Sequence, residues 1–519
     1  MDRARALVAA DSVSARGNFA AAAVLEPLYA EAGLRVVRQE FRESIDGAPV
    51  ADHVNLLAGP GGDGPWSAPE AQARLAAGEV PESARGGVLL VTHTDTVPTG
   101  PRERWTETGG DPHALAEKDG VLFGLGVADV KLDALCKIAA AMRLRGQRLA
   151  RPFWLCGTAA EEVGLRGARR LAQSPLFASL GVRQVLCGEP TELELYDAHK
   201  GYAVVRCTLI DRKAALVPAD GPAPGSGPAQ AAQLDFLGKA AHSSTPHLGV
   251  NAIDRALAWA NASRAPILAV RGGASANTVP ALCTLTVAAP APAASPPPAA
   301  TPAPDQVRLG EPVAPAPDLS RALRAAGALC ELWLSLLGRL EPRADARFDP
   351  PGAVGGFNVV TGGEDPASPA AAGASHGCGR VEATFDARLL PQHDPEALFA
   401  LFEAAARARV EKLGAGELQL EISIARSASG MSLPEGSPLV TALSATLARL
   451  GLDPKPRKKP TSTEAGVFSR AGCEAVVLGP GRSTGNAHTA NERILVSQLE
   501  RAIELYTAIL VDLCGARPA

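Results

Sequence analysis

Three things are missing from this 519-residue sequence, and each removes a class of function. No apolar run reaches the length of a membrane span, and no secretory core is expected near the start, where Arg3, Arg5, Asp11, Arg16 and Asn18 interrupt the apolar residues. No charge of one sign dominates: 51 Lys and Arg stand against 55 Asp and Glu, a formal charge of -4. Electrostatics therefore gives no reason to expect nucleic acid or an anionic membrane as a partner. The nine cysteines, an odd number, show no paired spacing, and Cys136, Cys156, Cys187 and Cys207 lie in apolar strand-like or helical stretches. They read as small buried hydrophobes, and the expected location is a reducing cytoplasm.

What the sequence does have is a series of metal-type ligands at the ends of strand-like runs. In GVLLVTHTDTVP the apolar residues 88–91 read as a buried strand that delivers His93 to its end, with Asp95 two residues on. A ligating imidazole needs an acceptor on its other ring nitrogen, and a nearby carboxylate is the usual one. Taken alone, the pair also fits a core histidine followed by a turn-forming aspartate. Asp129 stands in a glycine-rich turn before an apolar helical stretch, and alone it reads as a helix N-cap.

The run PFWLCGTAAEEVGLRGA is more specific. A strand over 153–155 leads through small residues into Glu161 and Glu162, and Gly164 and Gly167 follow, which argues against a solvated helix face. Adjacent residues at a strand end point in different directions, so one can bind metal while its neighbour faces the attacking water as general base. Glu189 follows another apolar run and precedes the φ-fixing Pro190. A strand over 475–478 then enters a Gly-Pro-Gly loop that ends at His488. These donors suffice for two divalent ions, which points to a metallohydrolase.

The length exceeds one ordinary domain, and the periodicity divides the chain. Residues 17–33 have helical apolar spacing and 34–41 alternate like a strand; strands and helices then alternate to about residue 202 and resume after 431. The expectation is a three-layer α/β catalytic domain with a mixed sheet, built from 1–201 and 429–519. The inserted segment 202–428 has two-residue alternation at 202–210, 282–287 and 381–389, with helices at 249–262 and 395–412. It reads as an α+β domain, an antiparallel sheet covered by two helices. Stretches 213–232, 288–317 and 361–379 are rich in Ala, Pro, Gly and Ser, as is 59–86, and are expected to be mobile and non-catalytic. A further apolar stretch, 319–340, reads as an extra helix without an evident place.

The pieces THTDTVP, GVADVK, TAAEEVGLRGA, GEPT, GKAAHSSTPHLGVNAI, DARLLP, STEAGVF and GPGRSTGNAHTANE follow one another across nearly the whole chain. In this order they resemble the co-catalytic zinc hydrolases that include acetylornithine deacetylase, succinyl-diaminopimelate desuccinylase, aminoacylase and the glutamate-releasing carboxypeptidases. The resemblance implies a two-zinc centre, with cobalt or manganese as substitutes, in which Asp129 bridges both ions. It implies His93 and Glu189 on one ion, Glu162 and His488 on the other, Asp95 orienting His93, and Glu161 as general base. The inserted domain becomes a lid or dimerisation domain, and the chain a homodimer. His242, between small residues at a strand end, would by itself read as structural; the resemblance makes it the oxyanion donor at a partner's site. Asn277 and Arg388 are implied to bind the substrate carboxylate or carbonyl, although Asn358 competes with Asn277 and Arg388 could serve a lid ion pair.

One departure is local. The family's Gly-Arg-Gly before the bridging aspartate and Met-Lys-Gly-Gly after it are here GLG and VKLD. The runs around Glu189 and His242, with Glu464 in STEAG, lean toward an acetylornithine deacetylase. Aminoacylase, dipeptidase or carboxypeptidase, and desuccinylase are the alternatives, all acting on a small N-acyl amino acid or dipeptide. A non-catalytic dimeric binding protein on this fold would have lost a ligand or the base, whereas all seven positions are present.

Overall fold

The computed structural model describes residues 1–45, 47–60, 79, 85–217, 230–263, 265–289, 303–312, 316–363, 378–414 and 416–515. The chain divides into two compact units, Met1–His199 with Ala428–Ala519, and Lys200–Ser427.

The first unit is built on a nine-stranded mixed sheet. Its centre is four parallel strands in the order Phe153–Thr158, Val88–His93, Gln184–Cys187 and Glu474–Val477. Their side chains alternate between two cores. Val88, Leu90, Phe153, Leu155, Leu186 and Val476 face one core, shared with the helices Phe19–Glu31, Lys131–Arg143, Pro438–Arg449 and Val496–Cys514. Leu89, Val91, Trp154, Cys156, Val185 and Val477 face the other, beneath the helices Arg166–Ala172, Pro175–Leu180 and Ala465–Arg470. Burial on both faces explains why these strands read as unbroken apolar runs, and it makes the unit a three-layer α/β fold. After residue 431 the first helix begins at Pro438, a residue that fits a first helical turn and not its interior. Among the described residues no helix is long and apolar enough to cross a membrane.

The second unit holds an eight-stranded sheet in the order Gln306–Pro312, Gln230–Leu237, Leu282–Ala289, Ile267–Gly272, Val354–Gly362, Gly379–Leu389, Gly201–Asp211 and Leu418–Ala428. The pairings from Gln306–Pro312 through to Gly201–Asp211 are antiparallel. Among the described residues three helices cover it, not two. Besides Ala252–Ala262 and Pro395–Gly414, the helix Ser320–Leu337 buries Leu323, Ala326, Leu329 and Trp333 in the same core. Trp333 donates from its indole nitrogen to the Asp386 carbonyl at 2.7 Å and packs edge-on against Phe402. The apolar stripe of 319–340 therefore belongs to the core of the second unit. A second correction concerns 288–317: Gln306–Pro312 is an edge strand and Ala316–Pro317 pairs with Leu216–Val217, so backbone pairing orders part of a low-complexity stretch. Most of 361–379, 59–86 and 213–232 lies outside the described residues. All nine cysteines are free thiols, eight of them buried.

Candidate metal centre

Four parallel strands pointing one way present four carboxyl ends along one edge, the place where open α/β sheets gather ligands. Val88–His93 ends on His93, and Phe153–Thr158 leads to Glu161 and Glu162. Gln184–Cys187 leads to Glu189, and Glu474–Val477 leads into the loop of His488. Asp129 enters from the turn before the helix Lys131–Arg143. That helix is capped at Val130 with no side-chain bond, so the Asp129 carboxylate is not spent on capping.

It faces both histidines instead. His93 Nε2 lies 3.2 Å from Asp129 Oδ1, and His488 Nε2 lies 3.1 Å from Asp129 Oδ2 and 3.0 Å from Glu162 Oε1. Donor atoms of His93, Glu161 and Glu162 fall within 4.8 Å of one another, as do those of Asp129, Glu162 and His488. His93 is buried, while the His488 side chain is 45% exposed, so the cluster opens to solvent on that side. His488 also holds a left-handed backbone, φ 60°, uncommon for a non-glycine residue and frequent at functional sites.

The electrostatics describe carboxylates in excess of cations. Burial raises the Glu161 carboxyl well above its usual range, and Glu162, Glu189 and Glu464 add to the rise against the opposing pull of His93. Glu162 is raised by burial as well. Burial would also lift Asp129, but hydrogen bonds from His488 and His93 outweigh it and hold its pKa far down. The charge of Glu162 drives His488 up to about 12. Imidazole nitrogens and carboxylate oxygens crowded with surplus negative charge fit a divalent ion of the zinc type, which neutralises the excess.

Asp95 acts differently from the expectation. His93 Nδ1 meets the Asp95 main-chain carbonyl at 3.1 Å, whereas the nearest carboxylate oxygen is 3.8 Å away. The carboxylate accepts the Glu161 and Glu162 amides at 3.0 and 3.3 Å and the Ser14 hydroxyl at 2.6 Å, fixing the turn that carries both glutamates. Glu189 falls in neither donor group, and its Oε2 accepts from Lys459 Nζ at 2.6 Å. Burial disfavours the Lys459 charge, yet the Glu189 carboxylate holds its pKa above the ordinary value. Glu464 is buried nearby, its carboxyl pushed by burial up to about 7.

Sequence reasoning overlooked two residues here. Lys459 sits in the basic run Arg457-Lys458-Lys459, which looks like a solvated edge. Glu492 closes the HTANE run four residues after His488, and its buried carboxylate accepts the amides of Gly126, Ala128 and Asp129.

The three remaining candidates lie in the second unit. His242 is exposed, and its Nδ1 accepts the Ser244 amide at 3.1 Å, so the neutral ring carries its proton on Nε2 and can donate from there. Asn277 is exposed, its Oδ1 accepting from Ser275. Asn358 is buried and committed, donating to the Ala276 carbonyl at 2.5 Å and to Asp386 at 2.8 Å. Of the two asparagines only Asn277 has its side chain at the surface. Arg388 is buried over the Tyr202 ring, donating to Ser243 with Asp386 at 3.5 Å, an ion pair within the second unit.

A profile of the peptidase family M20/M25/M40 matches residues 89–512. The chain is 32% identical over 250 residues to an acetylornithine deacetylase of Myxococcus xanthus, covering 48% of this chain and 50% of that one. It is 34% identical over 174 residues to the acetylornithine deacetylase of Proteus mirabilis (strain HI4320), covering 33% and 36%. The aligned stretches thus span half or less of these relatives' lengths. In fold it is similar to aminoacylhistidine dipeptidase from Vibrio alginolyticus, with TM-score 0.57, 15% identity and 99% and 96% of the two chains covered. Human carnosine dipeptidase 1 gives TM-score 0.55 at 16% identity, with 98% and 95% covered. With the family profile matching most of its length, and with the donor cluster at the strand ends, the chain belongs to peptidase family M20/M25/M40.

Proposed function

We propose that the chain is a metal-dependent amide hydrolase that removes the acyl group from an N-acyl amino acid, with N-acetylornithine, cleaved to ornithine and acetate, as the leading substrate. The observation that carries this reading is the convergence of His93, Asp129, Glu161, Glu162 and His488 at one sheet edge. The likeness to acetylornithine deacetylases supports the choice of substrate. Zinc is the metal these donors would suit, two ions per chain, and Asp129 would help to hold both. Glu162 and His488 would hold one ion, and His93 would hold the other together with Glu189, whose carboxylate would exchange its contact with Lys459 for the metal. When bound, such ions polarise an amide carbonyl and lower the pKa of water.

The chain's own groups supply the rest. Glu161 accepts a proton from the attacking water and passes it to the leaving nitrogen, a role suited to a carboxyl whose pKa stands above its usual range. Asp95 keeps the Glu161 carboxylate aimed by holding its amide. His242, with its proton on Nε2, donates to the developing oxyanion across a homodimer, and the exposed Asn277 binds the substrate's polar end. Arg388 steadies the loop of His242 through Ser243.

The test is a hydrolysis screen of the zinc-loaded protein against N-acetylornithine, other N-acetyl amino acids, N-succinyl-diaminopimelate and dipeptides. Turnover of N-acetylornithine above the others is the expected result. Preference for another member moves the assignment to aminoacylase, dipeptidase or desuccinylase. A protein that binds zinc and cleaves none of them is a binding protein, and the reading is then wrong.

A further inference from the structure

Behind the metal centre, on the helix side of the sheet, lies a buried charge pair for which the hydrolytic reading has no use. Asp133 and Lys137 stand one turn apart on the helix Lys131–Arg143, at 1% and 2% exposure, with Lys137 Nζ 2.6 Å from Asp133 Oδ2. Asp133 stands in the VKLD run, at the second of the two residues where the resemblance leads one to expect glycines.

Each member reaches the strand that carries His93. Lys137 Nζ donates to the Val91 carbonyl at 2.6 Å and to Thr92 Oγ1 at 2.8 Å, while the Thr92 hydroxyl donates to Asp133 Oδ2 at 2.6 Å. The neighbouring strand is gripped as well. The Gly188 amide donates to Val91 at 2.7 Å, and a Cβ built on Gly188 would stand 2.0 Å from Asp133 Oδ2 and 2.5 Å from Lys137 Nζ. Tyr506 closes the far side, its hydroxyl donating to Asp133 Oδ1. The residues touched, Thr92 and Gly188, immediately precede His93 and Glu189.

A buried ion pair is a weak way to gain stability, since desolvating two charges consumes most of what their attraction returns. It does impose direction. Lys137 and Asp133 keep their hydrogen bonds only if Val91 and Thr92 stay where they are, and Gly188, bonded to Val91 and packed against both charges, leaves the second strand end no room to shift relative to the first. We propose that Asp133 and Lys137 are positioning residues that set the separation of His93 and Glu189, and thereby tune metal affinity at the His93 side of the centre. The inference rests on the metal-centre reading above.

The test compares wild type with Asp133→Asn/Lys137→Met, which removes both charges together while Asn keeps partners for Thr92 and Tyr506. Affinity is read by competition with a chromophoric chelator, and geometry by the visible absorption of the cobalt-loaded protein. The expected result is a folded variant with a urea midpoint at or above wild type, affinity weaker by about 10–100-fold for one ion, and a shifted cobalt spectrum. Thr92→Val, nearly isosteric, deletes the hydroxyl both charges share and should weaken the same ion in a chain that keeps the pair. If the double variant fails to fold, Thr92→Val decides alone. Unchanged affinity and spectrum in the folded variants overturn the proposal. A wild-type protein that binds no metal overturns the metal-centre reading instead, so the two failures are distinct.

Discussion

Glu492 holds Asp129 by its backbone. One oxygen of the buried Glu492 carboxylate accepts the Asp129 amide at 2.9 Å and the Ala128 amide at 2.8 Å, and the other accepts Gly126 at 3.2 Å. The Glu492 carbonyl takes the Gly124 amide at 3.0 Å as well. The segment that contributes His488 thus also clamps the turn that contributes Asp129, so two donors from distant parts of the chain are fixed by one loop.

Glu492→Gln should therefore weaken metal binding while leaving the chain folded. A glutamine amide can present only one acceptor oxygen, and its NH2 would oppose one set of backbone N–H groups. Losing an outer partner of this kind typically costs about 10–100-fold in metal affinity or activity. Chelator competition measures it, and affinity within twofold of wild type would show that the clamp does not matter to the centre.

Glu161→Ala separates base from ligand, two roles that a carboxylate grouped with His93 and Glu162 can take. As the base, its loss should leave two zinc ions per chain and lower turnover by about 10²–10⁴. Metal analysis showing one ion missing would make Glu161 a ligand.

The features most legible in the sequence were those with a period. Apolar strands ending on His93, Glu161 and Glu189 could be read because both of their faces are buried, and the helix Phe19–Glu31 because Leu25 and Tyr29 share one face. What stayed hidden was set by tertiary partners. Nothing local distinguishes Lys459 from its exposed neighbour Arg457, or tells that Asp95 uses its carbonyl toward His93 and its carboxylate toward the Glu161 turn. The strand Gln306–Pro312 was masked by composition, since its pairing with Gln230–Leu237 depends on backbone and not on an apolar pattern.

His242→Ala should lower turnover by about 10²–10³ with metal content unchanged, the usual cost of deleting one oxyanion donor. If His242 serves a partner's site in a homodimer, mixing this variant with Glu161→Ala should restore activity. Random exchange makes half the dimers mixed, and each mixed dimer has one complete site, so recovery should approach about a quarter of wild type. Absence of recovery under proven subunit exchange would place His242 at its own chain's site or outside catalysis.

Lys200 offers a test of the second unit that is independent of metal. Its side chain is fully buried and donates to the Pro350 and Gly352 carbonyls at 2.6 Å each. Burial lowers its pKa from 10.5 to about 8, against the weaker opposing pull of Asp349. Between those two values the unfolded chain holds the proton and the folded chain has released it, so the unfolded state binds more protons and stability must rise with pH. Raising the pH from 7.5 to 9.5 should add roughly 2 kcal/mol from this group alone. Lys200→Met carries no titrating group, so its urea midpoint, whatever its absolute value, should lack that rise. The measurement is the difference in slope between the two proteins in metal-free buffer, which cancels every group they share. Parallel slopes would mean that Lys200 stays charged in the folded protein, its two carbonyl partners compensating for the water it has lost.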